Sequence, residues 1–274
     1  MYPLKFEDIL RPMIWGGEEI SRFKQLPEVH PGIGESWEIS QVGERVSVVS
    51  EGEDKGKTIT ELIKRDGANL LGKHVAARYA DKFPLLIKFI DAHDNLSIQV
   101  HPNDELAMAR HNSFGKTEMW YVIDAKPGAG LYSGFSKQIT PAEYVERIKN
   151  NTITDVLQFH EVKSGDVFFL PAGRIHAICE GILIAEIQQS SDVTYRVYDY
   201  NRENANHEKR PLHIEKAALV AGFMPPLAGH RPMGPRIRKN GYSRTLLVQC
   251  PYFVVQLYEI SESVTGDTAG GVQS

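Results

Sequence analysis

The sequence predicts a mainly β protein: a barrel or sandwich with helical decorations and, towards the C-terminal end, the start of a second β unit. Three observations carry this reading. From Phe83 to Tyr198, short apolar and β-branched runs recur with turns between them, a spacing that suits a barrel or sandwich. A helical stretch at about 52–82 precedes that series and another at 140–150 interrupts it. Beyond a proline- and glycine-rich segment, 224–241, two more strand-like runs are followed by a small polar tail that can build no core.

Taken in order, residues 1–50 mix glycine turns with runs such as Ser36–Ser40 and Arg45–Val49, an opening pair or trio of strands. Thr60–Lys64 and Lys73–Ala80 have helical apolar spacing, with Thr58 or Thr60 as N-cap. The strand series follows: Pro84–Ile90, Leu96–His101, Glu118–Ile123, Leu131–Tyr132, Val156–Val162, Val167–Leu170, His176–Cys179, Ile182–Gln188 and Thr194–Tyr198. Thr140–Lys149 interrupts it as a helix, with Thr140 as N-cap and Pro141 at the first helical position. Pro211–Leu219 is a short helix, and Arg244–Gln249 and Tyr252–Tyr258 open the second unit. The implied organisation is a barrel with insertions over 1–223, a linker over 224–241, and a truncated second unit with its tail over 242–274. A two-strand remnant cannot stand alone. Open strand edges and apolar surface there lead us to expect lowered stability or aggregation.

With 274 residues, 42% of them hydrophobic, the chain can bury a large core. Its 31 basic and 35 acidic residues are well mixed, for a net charge of -4, which gives no footprint for nucleic acid or an anionic membrane. Cys179 and Cys250 have no CxxC partner, so neither a disulfide framework nor a thiolate zinc knuckle is expected. No signal peptide or membrane span is legible. The expectation is a cytoplasmic protein, a monomer or weak homodimer.

Two stretches carry the chemistry, Ser97–Asp104 and Gly165–His176. Strand alternation points Gln99 and His101 the same way. In the second stretch Gly165-Asp166 turns, Val167–Leu170 is a buried strand, and Pro171-Ala-Gly173 breaks it before His176. If both strands line one barrel, the imidazoles and the amide meet at a mononuclear metal site. Three decoys fall away. Gly128–Gly134 has one residue too many for a dinucleotide fingerprint, His207-Glu208 lacks a second histidine for a zinc-protease motif, and Cys179 has no nucleophile motif around it.

Gly165-x5-Pro171-x-Gly173-x2-His176 resembles the second motif of the cupin barrels. Their first motif normally offers two histidines two apart; here Gln99 and His101 hold those places, and the following glutamate is displaced to Glu118. With Lys116-Thr-Glu-Met119, Trp15-Gly-Gly17 and Ser191–Arg196, the pattern is similar to type I phosphomannose isomerase in its short bacterial form, over roughly residues 1–260. The resemblance implies a cupin (jelly-roll) barrel with an incomplete second C-terminal cupin unit, and one zinc ion held by Gln99, His101, Glu118 and His176. It implies interconversion of mannose 6-phosphate and fructose 6-phosphate through a cis-enediol, with a phosphosugar as partner.

By the same resemblance Lys116, Lys88, Arg196 and Asp192 are catalytic-pocket residues, and Ser97 contacts phosphate. Lys209 and Arg210 are further phosphate candidates. Lys88 lies inside an apolar run, so it must either snorkel out or serve the site. Trp15 either stacks on the sugar or plugs a barrel end. Asp192, a lysine of lowered pKa, or a hydroxide on the metal could each be the base. Glu35 and Glu38 flank Trp37 and read as solvated edge charges; His74, His93, His111, His160, His207 and His213 read as surface or polar-core residues. A metal-dependent cupin oxygenase and a non-catalytic sugar-binding cupin are the rival functions. Gln99 in place of histidine weighs against the first, and the presence of Lys116 and Arg196 against the second.

Overall fold

The structure, a computed structural model, describes residues 2–203, 206–226, 229–262 and 264. The chain opens with β1 (Ile9–Gly17), α1 (Glu19–Phe23), β2 (Ile33–Ile39), the short pair β3 (Gln41–Val42) and β4 (Arg45–Val46), and three helices, α2 (Ile59–Asp66), α3 (Ala68–Leu71) and α4 (Lys73–Tyr79). Then come β5 (Leu85–Ala92), β6 (Ile98–Val100), α5 (Asp104–His111), β7 (Glu118–Ala125), β8 (Gly130–Phe135) and α6 (Pro141–Lys149). The barrel finishes with β9 (Leu157–Glu161), β10 (Val167–Leu170), β11 (His176–Ile178), β12 (Ile182–Gln189) and β13 (Tyr195–Tyr198). After α7 (Ile214–Ala218), the chain ends its described part in β14 (Arg236–Lys239), β15 (Tyr242–Gln249) and β16 (Val254–Ile260).

Two antiparallel sheets form the barrel, a six-stranded one ordered β1-β2-β5-β12-β7-β10 and a five-stranded one ordered β13-β6-β11-β8-β9. Trp120, Leu131, Phe168, Ile178 and Ile184 fill the space between them, all nearly inaccessible to solvent. Each such side chain contributes about 1.5–3 kcal/mol relative to its exposed state. The inner face is apolar only in part, because the pairing register lines up Lys88 with Glu186, Glu186 with Trp120, and Gln188 with Glu118. That polar layer is the floor of the site.

The outer faces are covered too, which is why these strands are apolar on both sides. Helices α6 and α7 bring Tyr144, Ile148 and Ala217 against Ile98, Val100, Ala177 and Tyr195 of the five-stranded sheet. Across the molecule, Leu247, Val248 and Phe253 pack with Met119 and Val167 of the six-stranded sheet. Thr58 and Thr140 cap α2 and α6 through their hydroxyls, as their sequence positions predict.

The C-terminal region departs from its reading in one respect. The stretch 224–241 is more than a linker, because Arg236–Lys239 pairs with β15 and makes the unit a three-stranded sheet. All four of its side chains are exposed, so no apolar alternation marks it as a strand. The polar tail 265–274 lies outside the described residues. Among the described residues no helix is long and apolar enough to cross a membrane.

Candidate metal centre and active site

Three separate segments deliver one ligand each to the barrel interior. His101 follows the last residue of β6, Glu118 begins β7 and His176 begins β11. Cross-strand pairing sets His176 opposite Gln99, and Gln99 opposite Arg196, so alternation turns all three inward. The corner before His176 depends on Gly173. Its φ is +86°, and an added Cβ would stand 2.7 Å from the Val220 carbonyl oxygen, a backbone position that favours glycine. From that corner the Gly173 N–H donates to the His101 carbonyl at 2.9 Å.

His101 Nε2 lies 3.6 Å from Glu118 Oε2, and His176 Nε2 lies 3.2 Å from Glu118 Oε1. All three side chains are essentially fully buried. Their candidate ligand atoms lie within 4.8 Å of one another. Each imidazole has its Nδ1 committed to a backbone carbonyl, His101 donating to Val193 at 3.0 Å and His176 to Arg174 at 2.8 Å. Both Nε2 atoms therefore present lone pairs to the same point.

Electrostatics favour neutral rings. Burial holds His101 well below its ordinary pKa and takes His176 down to about 3. Burial also lifts Glu118 to about 8, against the opposing pull of the Lys116 ammonium 3.3 Å away. His101 Nε2 and both carboxylate oxygens of Glu118 are buried without a hydrogen-bond partner among the described residues. Buried polar atoms ordinarily have partners. Two neutral imidazoles and a carboxylate converging with unused lone pairs form a donor set that fits a divalent metal ion. Gln99 Nε2 stands 3.4 Å from His176 Nε2, so an amide turn brings its oxygen to the same centre.

Beside the triad is a cavity of about 240 Å³, whose lining includes Gln99, Lys116 and Trp120. Larger depressions of about 380, 540 and 640 Å³ occur elsewhere, but none of these is lined by Gln99, Lys116 or Glu186, and convergent polar groups define a site better than volume does. Trp15, Lys88, Ser97, Lys116, Asp192, Arg196 and Arg210 all line the smaller cavity. Trp15 packs into the interior apolar cluster and also edges the cavity. Asp192 is exposed at the mouth. Arg196 donates to the Pro211 carbonyl at 3.1 Å, while its Nε is buried without a partner among the described residues. Arg210 is held in a two-pronged pair by Asp199 at 2.5 and 2.7 Å. Lys209 is not part of this group; it is exposed and bonds Asn201 at 3.3 Å.

Lys88 points inward and meets Glu186 at 2.9 Å and Glu35 at 4.0 Å. Burial alone would lower its pKa, but these two carboxylates outweigh burial and raise it, so Lys88 is a cation and not a lysine of lowered pKa. Glu186, although buried, stays ionised because Lys88, Lys116 and the Trp120 indole N–H at 2.9 Å stabilise its charge. Glu35 corrects the sequence reading: it is buried, accepts from Trp37 Nε1 at 2.7 Å and Arg11 at 3.2 Å, and lines the cavity. Only Glu38 of that pair reaches the periphery, held by Lys24. Glu186 was missed as well, although in Ile182–Gln189 the inward positions 184, 186 and 188 carry two polar residues on a face expected to be apolar.

Comparisons with known proteins agree with this geometry. Residues 4–128 match the family model described as phosphomannose isomerase type I, catalytic domain. A mannose-6-phosphate isomerase of Streptococcus mutans is 38% identical over 262 residues, covering 96% of this chain and 80% of its own length. A probable mannose-6-phosphate isomerase of Bacillus subtilis, GmuF, is 37% identical over 264 residues, covering 95% and 80%. The crystal structure of the mannose 6-phosphate isomerase from Bacillus subtilis superposes with a TM-score of 0.85 at 34% identity, covering 95% of this chain and 81% of that one. The mainly β fold, the buried ligand triad and these likenesses together show that the chain belongs to the type I phosphomannose isomerase family and is a metal-binding isomerase of that class.

Proposed function

We propose that the enzyme interconverts mannose 6-phosphate and fructose 6-phosphate through a cis-enediol, using one zinc ion held by Gln99, His101, Glu118 and His176. The observation that carries this reading is the convergence of buried His101 and Glu118 atoms, without hydrogen-bond partners among the described residues, beside a cavity lined by Gln99, Lys88, Lys116, Arg196 and Arg210. Zinc supplies Lewis-acid polarisation of the substrate oxygens when bound. The chain's own residues do the rest. Ser97, Arg196 and Arg210 line the side of the cavity suited to the phosphate, and Trp15 offers the sugar an apolar edge.

The C2 proton leaves, a proton returns at C1, and O1 and O2 exchange one between them. The difficulty is the negative charge that spreads over both oxygens during this exchange. Arg196 stabilises it as a fixed cation in a largely water-excluded space, and Lys116 joins it as an ammonium, whether it carries its proton throughout or has just taken the one from C2. Lys88, fixed by Glu186 and Glu35, keeps its proton and acts as a cation rather than as the base. The two side chains we take as candidates for moving the carbon-bound proton are Asp192 at the mouth and Lys116 on the wall. Asp192→Asn and Lys116→Met separate them: the base is the one whose loss abolishes exchange of the C2 proton with solvent while substrate still binds.

The test of the function is conversion of mannose 6-phosphate by the zinc-loaded protein, before and after a chelator. Turnover that is lost on chelation and restored by zinc is expected. Failure of a folded, zinc-loaded protein to turn over sinks the isomerase assignment, and turnover unaffected by complete metal removal sinks the zinc assignment.

A further inference from the structure

Lys116 has no strand to hold it. It precedes β7, and its backbone N–H donates to the Pro102 carbonyl at 3.0 Å, yet its side chain is 4% exposed and must be aimed accurately inside the barrel. Asp104, the first residue of α5, reaches the backbone that flanks Lys116. Asp104 Oδ1 accepts from the Gly115 N–H at 2.8 Å and from Gln189 Nε2 at 2.8 Å. The same glutamine accepts the Thr117 N–H at 2.9 Å through its side-chain oxygen. Asp104 thus grips the backbone on both sides of Lys116, directly before it and through Gln189 after it. A Cβ on Gly115 would stand 2.5 Å from the Asp104 backbone nitrogen, so this approach is close enough to require glycine. The second oxygen, Oδ2, accepts the Tyr252 hydroxyl at 2.9 Å, and Tyr252 belongs to the C-terminal unit, in the turn between β15 and β16.

We propose that Asp104 is a positioning residue for Lys116, and that Tyr252 makes the C-terminal β unit part of the active-site support. Glu118 is held independently, through β7 pairing with Leu170 and Gln188. Loss of Asp104 therefore disturbs Lys116 and leaves the metal ligands in place. This inference rests on the reading of Lys116 as a cation at the reacting atoms.

Steady-state kinetics with mannose 6-phosphate, zinc per chain and Tm test it on the zinc-loaded protein and four variants, Asp104→Ala, Asp104→Asn, Tyr252→Phe and Lys116→Met. A displacement of about 1 Å at a reacting group costs up to about 100-fold. Asp104→Ala is accordingly expected to lower kcat about 10–100-fold, with KM within about threefold and zinc content unchanged. Asp104→Asn keeps an acceptor for Gly115 and Gln189 and can donate to Tyr252, so it recovers to within about threefold of the parent. Tyr252→Phe falls between them.

Parent protein without turnover, or Lys116→Met at parental rates, overturns the underlying reading of the site. An impaired Lys116→Met beside Asp104→Ala at parental kcat overturns the positioning role alone. So does a loss in Asp104→Ala that Asp104→Asn shares in full, or one that tracks lost zinc. If Asp104→Ala does not fold, Tyr252→Phe decides the matter: folded and zinc-replete with a parental kcat, it overturns the proposal.

Discussion

At the scale of single residues, the site is an economy of buried charge. Lys88 and Glu186 are 5% and 2% exposed and 2.9 Å apart, so neither tolerates loss of the other. Glu186→Gln is expected to destabilise the fold by about 3–5 kcal/mol in urea unfolding, and Lys88→Met with Glu186→Gln to recover most of that loss. A single variant as stable as the parent would contradict the pairing. The triad sets a second expectation, for protein stripped of metal. Folded Glu118, at about 8, holds a proton that the unfolded carboxyl releases above 4.5, so stability rises as pH falls from 8 towards 6.5. Below 6.5 the unfolded chain binds protons on two imidazoles that folding keeps neutral, which outweighs the single proton on Glu118. The Tm of chelator-treated protein should peak near pH 6.5. A Tm still climbing at pH 5 would falsify this balance.

At the scale of elements, what was legible was whatever local chemistry writes down. Thr58 and Thr140 announced their helices because a capping hydroxyl and the backbone N–H it accepts are three residues apart. The nine barrel strands from β5 to β13 were legible because turn residues bound short apolar runs. Helix α5 was not, although Asn103 caps it by accepting from the Leu106 N–H at 3.0 Å, because its Asp-Glu start and small apolar face stand between two louder motifs. Gln99, His101 and His176 could be read because alternation and a Pro-x-Gly corner fix their direction. Glu35 and Glu186 could not, since the inward face of a strand is named only when its partner across the barrel is known. The corner itself makes a prediction: Gly173→Ala forces a positive φ and a backbone clash, costs about 1–3 kcal/mol by chemical denaturation, and lowers zinc affinity by moving His176. Unchanged stability and metal affinity would show that the corner has room to relax.

At the scale of the molecule, the C-terminal sheet is bound in rather than appended. Expectation from sequence was a remnant with open edges, and the structure does leave Ile237, Val254, Tyr258 and Ile260 exposed. Its other face, however, joins the barrel through Leu247, Val248 and Phe253. Phe253→Ala should therefore cost about 3–5 kcal/mol and lower one common unfolding transition rather than split off a second. Two separated transitions in calorimetry would show that the sheet melts on its own.

The pairing of His176 with Gln99 joins positions 77 residues apart, and this imposes an order in time. At about 5–20 residues added per second during synthesis, Gln99 and His101 emerge roughly 4–15 s before the histidine that completes their centre. Until then the nascent chain offers at most a weak, partial donor set. On the proposed ligand set, full capture of the ion therefore waits for His176, although the barrel strands β12 and β13 are synthesised later still.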